Sequence, residues 1–134
     1  MTAERDTALR LAGYVLDCTD PRGLAEFYSA LLGWAVDEQS SSDDWVELRD
    51  PRGGAGLSFQ ADPEFRPATW PTGERAQMAH LDIRVSDVDE EHERAVRSGA
   101  TPLPQPPDRT DAHWRVYADP AGHPFCLCGP SPGA

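Results

Sequence analysis

A chain of 134 residues is long enough for one compact domain with a real core and too short for two ordinary ones. Twelve basic against 23 acidic residues give a formal net charge of −11, which repels phosphate backbones and anionic lipid, so nucleic acid and membrane surfaces are excluded as partners. The sequence has 39% hydrophobic residues, no apolar run near the roughly 20 residues that span a bilayer, and no apolar leader core in "MTAERDTALR"; it predicts a globular, cytoplasmic protein. Cys18, Cys126 and Cys128 are odd in number and lack CxxC spacing, so they read as small buried residues of a reducing compartment.

In chain order, a strand over about Arg10 to Cys18 comes first. A helix over about Pro21 to Leu32 follows, because Leu24, Phe27, Tyr28, Leu31 and Leu32 recur on one helical face, with Asp20 to cap it and Gly33 to end it. Strands are predicted over about Trp34 to Gln39, Trp45 to Arg49 and Gly56 to Ala61. The stretch "DPEFRPATWPTGER" has three prolines and a glycine and reads as a surface linker. A strand over about Gln77 to Val85 leads to a helix over about Val88 to Ser98, capped by Asp87 with Glu90 three residues on and stopped by Gly99. Strands over about Thr101 to Leu103, His113 to Ala118 and Pro124 to Cys128 complete the chain. The proline-rich loop "PLPQPPDRTDA" between the first two reads either as a rim beside a pocket or as a plain connection. His92 is expected at the surface among glutamates, and His123 within the turn after Gly122.

The two halves repeat. The helix caps Asp20 and Asp87 are 67 residues apart, and "WVELRDPRG" from Trp45 matches "WRVYADPAG" from Trp114 at an offset of 69. Each half runs strand, helix, then three strands. The expected organisation is one domain: module one at about 9–61, a linker at about 62–76, and module two at about 77–128. Alternation along the second module's first strand sends His80, Asp82 and Arg84 to one face and Leu81, Ile83 and Val85 to the other. By the repeat, Gly13, Val15 and Asp17 stand beside the first set, and a cross-module Asp17–Arg84 ion pair is expected. Trp45, Trp114, Tyr117, Phe59 and Phe125 are core or pocket-wall residues, and Trp70 in the linker is either a plug or an aromatic wall.

"DPRGLAEFYSALLGW", "HLDIRVSDVDEEHERAVRSGA" and "DPAGHPFCL" together resemble the vicinal oxygen chelate superfamily of glyoxalases, bleomycin resistance proteins and dioxygenases, over about Leu9 to Cys128. "LSFQ" and "TWP" narrow the resemblance to the actinobacterial type called glyoxalase-like domain. The resemblance implies an α+β fold in which two βαβββ modules form a curled, half-open mixed β-barrel around a cavity, with helices outside, and it implies a homodimer. Metal-dependent members hold a divalent ion with four side chains, one each from the first and last strand of each module. Carried over, these positions fall on His80, its repeat mate Gly13, Cys126, and either Ser58 or Gln60. Glycine offers no donor, and a thiol suits the hard ions of this chemistry poorly. No cofactor is therefore expected, and only His80 and Gln60 remain as weak candidates for a divalent metal.

The expected site comprises His80 and Asp82 as acid/base groups, with Arg84, Asp17, Gln60, Trp70, Trp114 and Cys126 as further ligand-binding positions. Three readings stay open, one of them a scaffold-like protein with a filled barrel and no ligand. Another is a small-molecule-binding protein with a degenerate metal site, its acidity suited to a cationic ligand. The third is a lyase, isomerase or dioxygenase-like enzyme using His80, with or without a divalent metal.

Overall fold

The computed structural model describes residues 9–69, 73–104 and 113–130. Trp70 and most of the proline-rich loop, 105–112, lie outside the described residues. The elements run β1 (Gly13–Cys18), α1 (Pro21–Leu32), β2 (Ala35–Val36), a single 3-10 turn (Glu38–Ser40), β3 (Trp45–Arg49), β4 (Gly56–Ala61), β5 (Leu81–Arg84), α2 (Val88–Ser98), β6 (Thr101–Pro102), β7 (Trp114–Ala118) and β8 (Pro124–Cys128). Both helices begin and end where the sequence predicts. The Asp20 carboxylate accepts from the Gly23 amide and the Asp87 carboxylate from the Glu90 amide, each satisfying a donor that the first helical turn leaves without a partner. Gly33 closes α1 at φ 75°, a left-handed conformation that favours glycine, and donates its amide to the Ser29 carbonyl.

The strands form two four-stranded mixed sheets with the same order, β1-β4-β3-β2 and β5-β8-β7-β6. In each, the first strand pairs in parallel with the last, and the remaining pairs are antiparallel. This is an α+β fold of two βαβββ modules whose sheets are not closed into a barrel. The sheet edges left open are β1 and β2 in one and β5 and β6 in the other.

Five strands are shorter than predicted, β6 and β7 by a single residue each. β1 starts at Gly13 rather than Arg10, because its partner β4 starts at Gly56. β5 starts at Leu81 rather than Gln77, since its partner β8 begins with Pro124, which has no amide proton to offer the ladder. β2 ends at Val36 because the polar Glu38–Ser40 segment folds into the 3-10 turn, held by the Ser41 hydroxyl on the Asp37 carbonyl at 2.7 Å.

One core joins both modules. Tyr28 of α1 stacks on Phe59 of β4 at 5.6 Å and meets Phe125 of β8 edge-on at 6.1 Å, while Tyr117 of β7 stacks on Phe125 at 5.4 Å. Leu24, Leu31, Val46, Leu48 and Leu127 fill the space around these rings, all of them buried. Burying each such side chain contributes about 1.5–3 kcal/mol relative to leaving it in water. The Arg94 guanidinium on α2 also donates to the Ala30 carbonyl of α1 at 2.8 Å.

Candidate functional site

Leu81, Ile83 and Val85 pack against the core, which leaves Asp82 and Arg84 on the opposite, solvent-facing side of β5. Pairing carries that side across the sheet. Asp82 is opposite Cys126 and then Val116, and Arg84 is opposite Cys128 and then Trp114. On the first sheet, Val15 is opposite Ser58 and then Glu47, and Asp17 is opposite Gln60 and then Trp45. The offset of 67 maps Val15 onto Asp82, so Ser58 is the structural mate of Cys126, and Gln60 is that of Cys128. The last-strand position of module one therefore falls on Ser58, and Gln60 is an exposed neighbour one step further along the strand.

His80 stands just ahead of β5, with its Nε2 3.2 Å from Asp82 Oδ1. Both side chains are substantially exposed, at 41% and 61%. Cys126 is 2% exposed, and its Sγ lies with the donor atoms of His80 and Asp82 so that all three are within 4.8 Å of one another. The position matching His80 in module one is closed by backbone, because a Cβ on Gly13 would sit 2.9 Å from the Gly56 carbonyl oxygen.

Between β1 and β5 runs a groove of about 360 Å³, bounded by Tyr14, Val15, Tyr28, His80, Asp82 and His123. It continues through Val15, Ala79 and His123 into a hollow of about 400 Å³ beside Phe65, Gln77 and Met78. Gln77 Oε1 is buried there, with no hydrogen-bond partner among the described residues. The Tyr28 hydroxyl donates to Asp119 Oδ2 at 2.7 Å, and Asp119 Oδ1 accepts from the amides of Ala121 and His123, each at 2.9 Å. Burial raises the Asp119 carboxyl pKa, against the opposing effect of the Tyr28 hydrogen bond. Burial, and then the Asp119 charge, hold the Tyr28 hydroxyl well above its ordinary value. His123 Nε2 donates to the Asp17 carbonyl at 2.6 Å, and its ring packs on Phe65 at 4.9 Å. His123 thus belongs to the turn through its amide, as expected, and to the groove through its ring.

A second hollow of about 400 Å³ lies on the first sheet, lined by Gly13, Val15, Trp45, Glu47, Arg49 and Ser58. The Trp45 indole there donates to Glu47 Oε1 at 2.8 Å.

Two expectations are corrected. Asp17 and Arg84 make no ion pair among the described residues, because the groove separates β1 from β5; Arg84 instead lines a hollow with Asp50, Glu91 and Arg94. His92 is half-buried, with its Nδ1 hydrogen-bonded to the Tyr117 hydroxyl at 2.7 Å. The structure brings His80, Asp82 and Cys126 together, and it places Trp114 on their side of the sheet beside Cys128. Asp17 and Gln60 stand together on the other sheet. Sequence reasoning missed Tyr14, Tyr28, Glu47 and Gln77. Tyr28 sits in the apolar helical pattern that marks it as core, and only its hydroxyl hinted at a polar partner.

Among curated proteins, none matches the chain in sequence. Solved structures share its fold. A glyoxalase/bleomycin resistance protein/dioxygenase family enzyme from Burkholderia phytofirmans superposes with a TM-score of 0.69 at 19% identity, over 90% of this chain and 98% of that one. The fosfomycin resistance protein FosX from Mesorhizobium loti gives 0.63 at 13% identity, over 91% and 92%. The bleomycin-binding protein of Streptomyces verticillus, in complex with copper(II)-bleomycin, gives 0.56 at 21% identity, over 93% and 100%. The glyoxalase-like domain model matches residues 13–128, from the first residue of β1 to the last of β8. The chain belongs to the glyoxalase-like domain family.

Proposed function

We propose that this protein binds a small organic molecule, cationic in character, in the groove between β1 and β5. The observation that carries the reading is the groove itself, which both modules line and which combines the exposed aromatic ring of Tyr14 with the Asp82 carboxylate. Aromatic faces and a carboxylate attract a cation together, and a molecule of net charge −11 raises the local concentration of such ligands. The partnerless Gln77 Oε1 at the continuation of the groove offers an acceptor to a ligand donor. Relatives of this fold include a protein solved with copper(II)-bleomycin and a fosfomycin resistance protein, which supports small-molecule binding as the class.

The four-position divalent-metal set of the superfamily is, in this reading, degenerate. Gly13 has no donor, a serine hydroxyl and a thiol stand where the strand-end positions fall, and a hard octahedral ion needs oxygen-rich ligation. A homodimer is part of the proposal, supported by the open edges of β1 and β5. So is a cytoplasmic location, supported by three cysteines that are all thiols. Among the described residues no helix is long and apolar enough to cross a membrane.

The test is a thermal-shift and calorimetric screen of the full chain against organic cations and matched anions. Cations are expected to raise the melting temperature, and Tyr14→Ala and Asp82→Asn to weaken binding about tenfold, or about 1.4 kcal/mol. Equal binding of both charge classes, or affinity indifferent to both variants, would sink the reading.

The 3.2 Å contact between His80 and Asp82 favours a second reading, an enzyme of lyase, isomerase or dioxygenase type in which Asp82 orients His80 for proton transfer. Turnover of a bound compound that vanishes in His80→Ala decides for it.

A further inference from the structure

The two modules meet at two junctions that the internal repeat makes equivalent, and only one of them is filled by rings. At the first, Phe27 and Tyr28 of α1 reach module two, where Phe27 lies 5.8 Å from Phe125 and the Tyr28 hydroxyl donates to Asp119 Oδ2 at 2.7 Å. At the second, α2 faces the Asp50 turn of module one, and the residues matching Phe27 and Tyr28 are Arg94 and Ala95. An arginine and a methyl group thus stand in for two rings, and a hollow of about 440 Å³ lies at that junction. Asp50 repeats the turn of Asp119: its Oδ1 accepts from the Arg52 amide at 2.9 Å, as Asp119 Oδ1 accepts from the Ala121 amide at 2.9 Å. The other oxygen of Asp119 takes the Tyr28 hydroxyl, whereas the other oxygen of Asp50 accepts no hydrogen bond among the described residues.

We infer that this hollow binds a small hydroxylated aromatic acid, whose ring and hydroxyl take the place of the absent tyrosine and whose carboxylate meets the arginines of the rim. Leu31, Leu32 and Ile83 offer the ring an apolar wall, and the half-buried Trp34 an aromatic one. The ring hydroxyl donates to the Asp50 carboxylate, a charge-assisted bond of the kind that Tyr28 makes with Asp119. Arg52 and Arg84 are exposed, and their side chains make no hydrogen bond or ion pair among the described residues. Both guanidiniums are therefore available to grip a carboxylate, for which their planar fork is suited. Arg94 is held in place by its bond to the Ala30 carbonyl at 2.8 Å. Three guanidiniums outnumber the two carboxylates of the wall, Asp50 and Glu91, which favours an anion here although the molecule as a whole is acidic. The hollow shares no lining residue with the groove between β1 and β5, and none of the four superfamily metal positions borders it, so the inference does not rest on the groove reading.

The experiment titrates the full chain with para-hydroxybenzoate by calorimetry, with benzoate and phenol as probes that each lack one of the two polar groups. One equivalent of para-hydroxybenzoate is expected to bind, and benzoate and phenol to bind about tenfold more weakly or worse. Arg84→Gln and Arg52→Gln, both changes of exposed side chains, are each expected to weaken binding about tenfold. Arg22→Gln removes a guanidinium that lies outside the hollow, where it pairs with Glu38, and is expected to leave the affinity unchanged. Absence of para-hydroxybenzoate binding, equal affinity for benzoate, or the same loss in Arg22→Gln as in Arg84→Gln overturns the proposal.

Discussion

Cys18 ends β1 with its side chain fully buried and its Sγ directed at the Gln60 carbonyl, 3.8 Å away. Burial is the largest of the effects that raise its thiol pKa from 9.0 to about 11; the Asp119, Asp20 and Asp17 charges add to it, and a backbone hydrogen bond at Asp20 opposes it. The unfolded chain ionises this thiol near the ordinary value while the folded chain keeps its proton. Between those two pH values the folded state therefore binds more protons, and stability falls as pH rises. The contribution is fully present below pH 9 and lost by about pH 11. Urea midpoints measured across this window are expected to decline, and Cys18→Ala to lessen the decline. A residual slope remains from Tyr28, Tyr117 and Cys128, whose pKa values are also raised by burial. Parallel curves for wild type and variant would refute the assignment. At this scale the sequence exposed one part of the site and hid another. His80 and Asp82 are two residues apart on an extended segment, so their shared side follows from alternation alone. His92–Tyr117 and Tyr28–Asp119 join residues 25 and 91 positions apart, and no local pattern records such pairs.

At the scale of elements, glycines set how closely the strands approach. A Cβ on Gly56 would collide with the Leu48 carbonyl oxygen of β3, and one on Gly13 would press on Gly56 itself. Backbone atoms of paired strands cannot swing aside as a flexible side chain can. Gly56→Ala is thus expected to destabilise the chain by about 1–3 kcal/mol in urea unfolding, as overpacking does. Gly54→Ala is the control, because there the new Cβ would meet only the Asp50 carboxylate, the mobile end of a side chain. Equal losses in the two variants would show that backbone crowding is not the cause. The same crowding opposes any side chain introduced at Gly13. Helix ends were legible because capping chemistry is local: Asp20, Gly33, Asp87 and Gly99 mark them outright. The starts of β1 and β5 were not, because a strand lasts only as long as its partner, and the partners of β1 and β5 lie more than 40 residues further along the chain. The closing-strand match stayed divided between Ser58 and Gln60 for a related reason. "DPRGGAGLSFQ" holds one residue more than "DPAGHPFCL" before the paired strand, and only the register Val15–Ser58 against Asp82–Cys126 places the extra one in the turn.

For the whole molecule, the duplicated sequence suggests two units, yet the core is undivided. Tyr28 leaves module one to meet Phe125, its hydroxyl holds the Asp119 turn of module two, and the Arg94 guanidinium returns from α2 to α1. No counterpart of the tyrosine clamp exists in the other direction, since the residue matching Tyr28 is Ala95 and that matching Asp119 is Asp50. Coupling of this kind makes the modules unfold together rather than in sequence. Phe125 is the ring that both halves share, touching Phe27 at 5.8 Å, Tyr28 at 6.1 Å and Tyr117 at 5.4 Å. Phe125→Ala is expected to cost about 3–5 kcal/mol, the range for removing a buried aromatic side chain. Amide hydrogen exchange then separates the alternatives. If the core is one cooperative unit, amides of β4 lose as much protection as those of β8, although β4 never touches the substituted residue through its own hydrogen bonds. Loss confined to β7 and β8, with β3 and β4 protected as in the wild type, would mean that the two modules are stable separately and that the groove between β1 and β5 is a hinge rather than a fixed cleft.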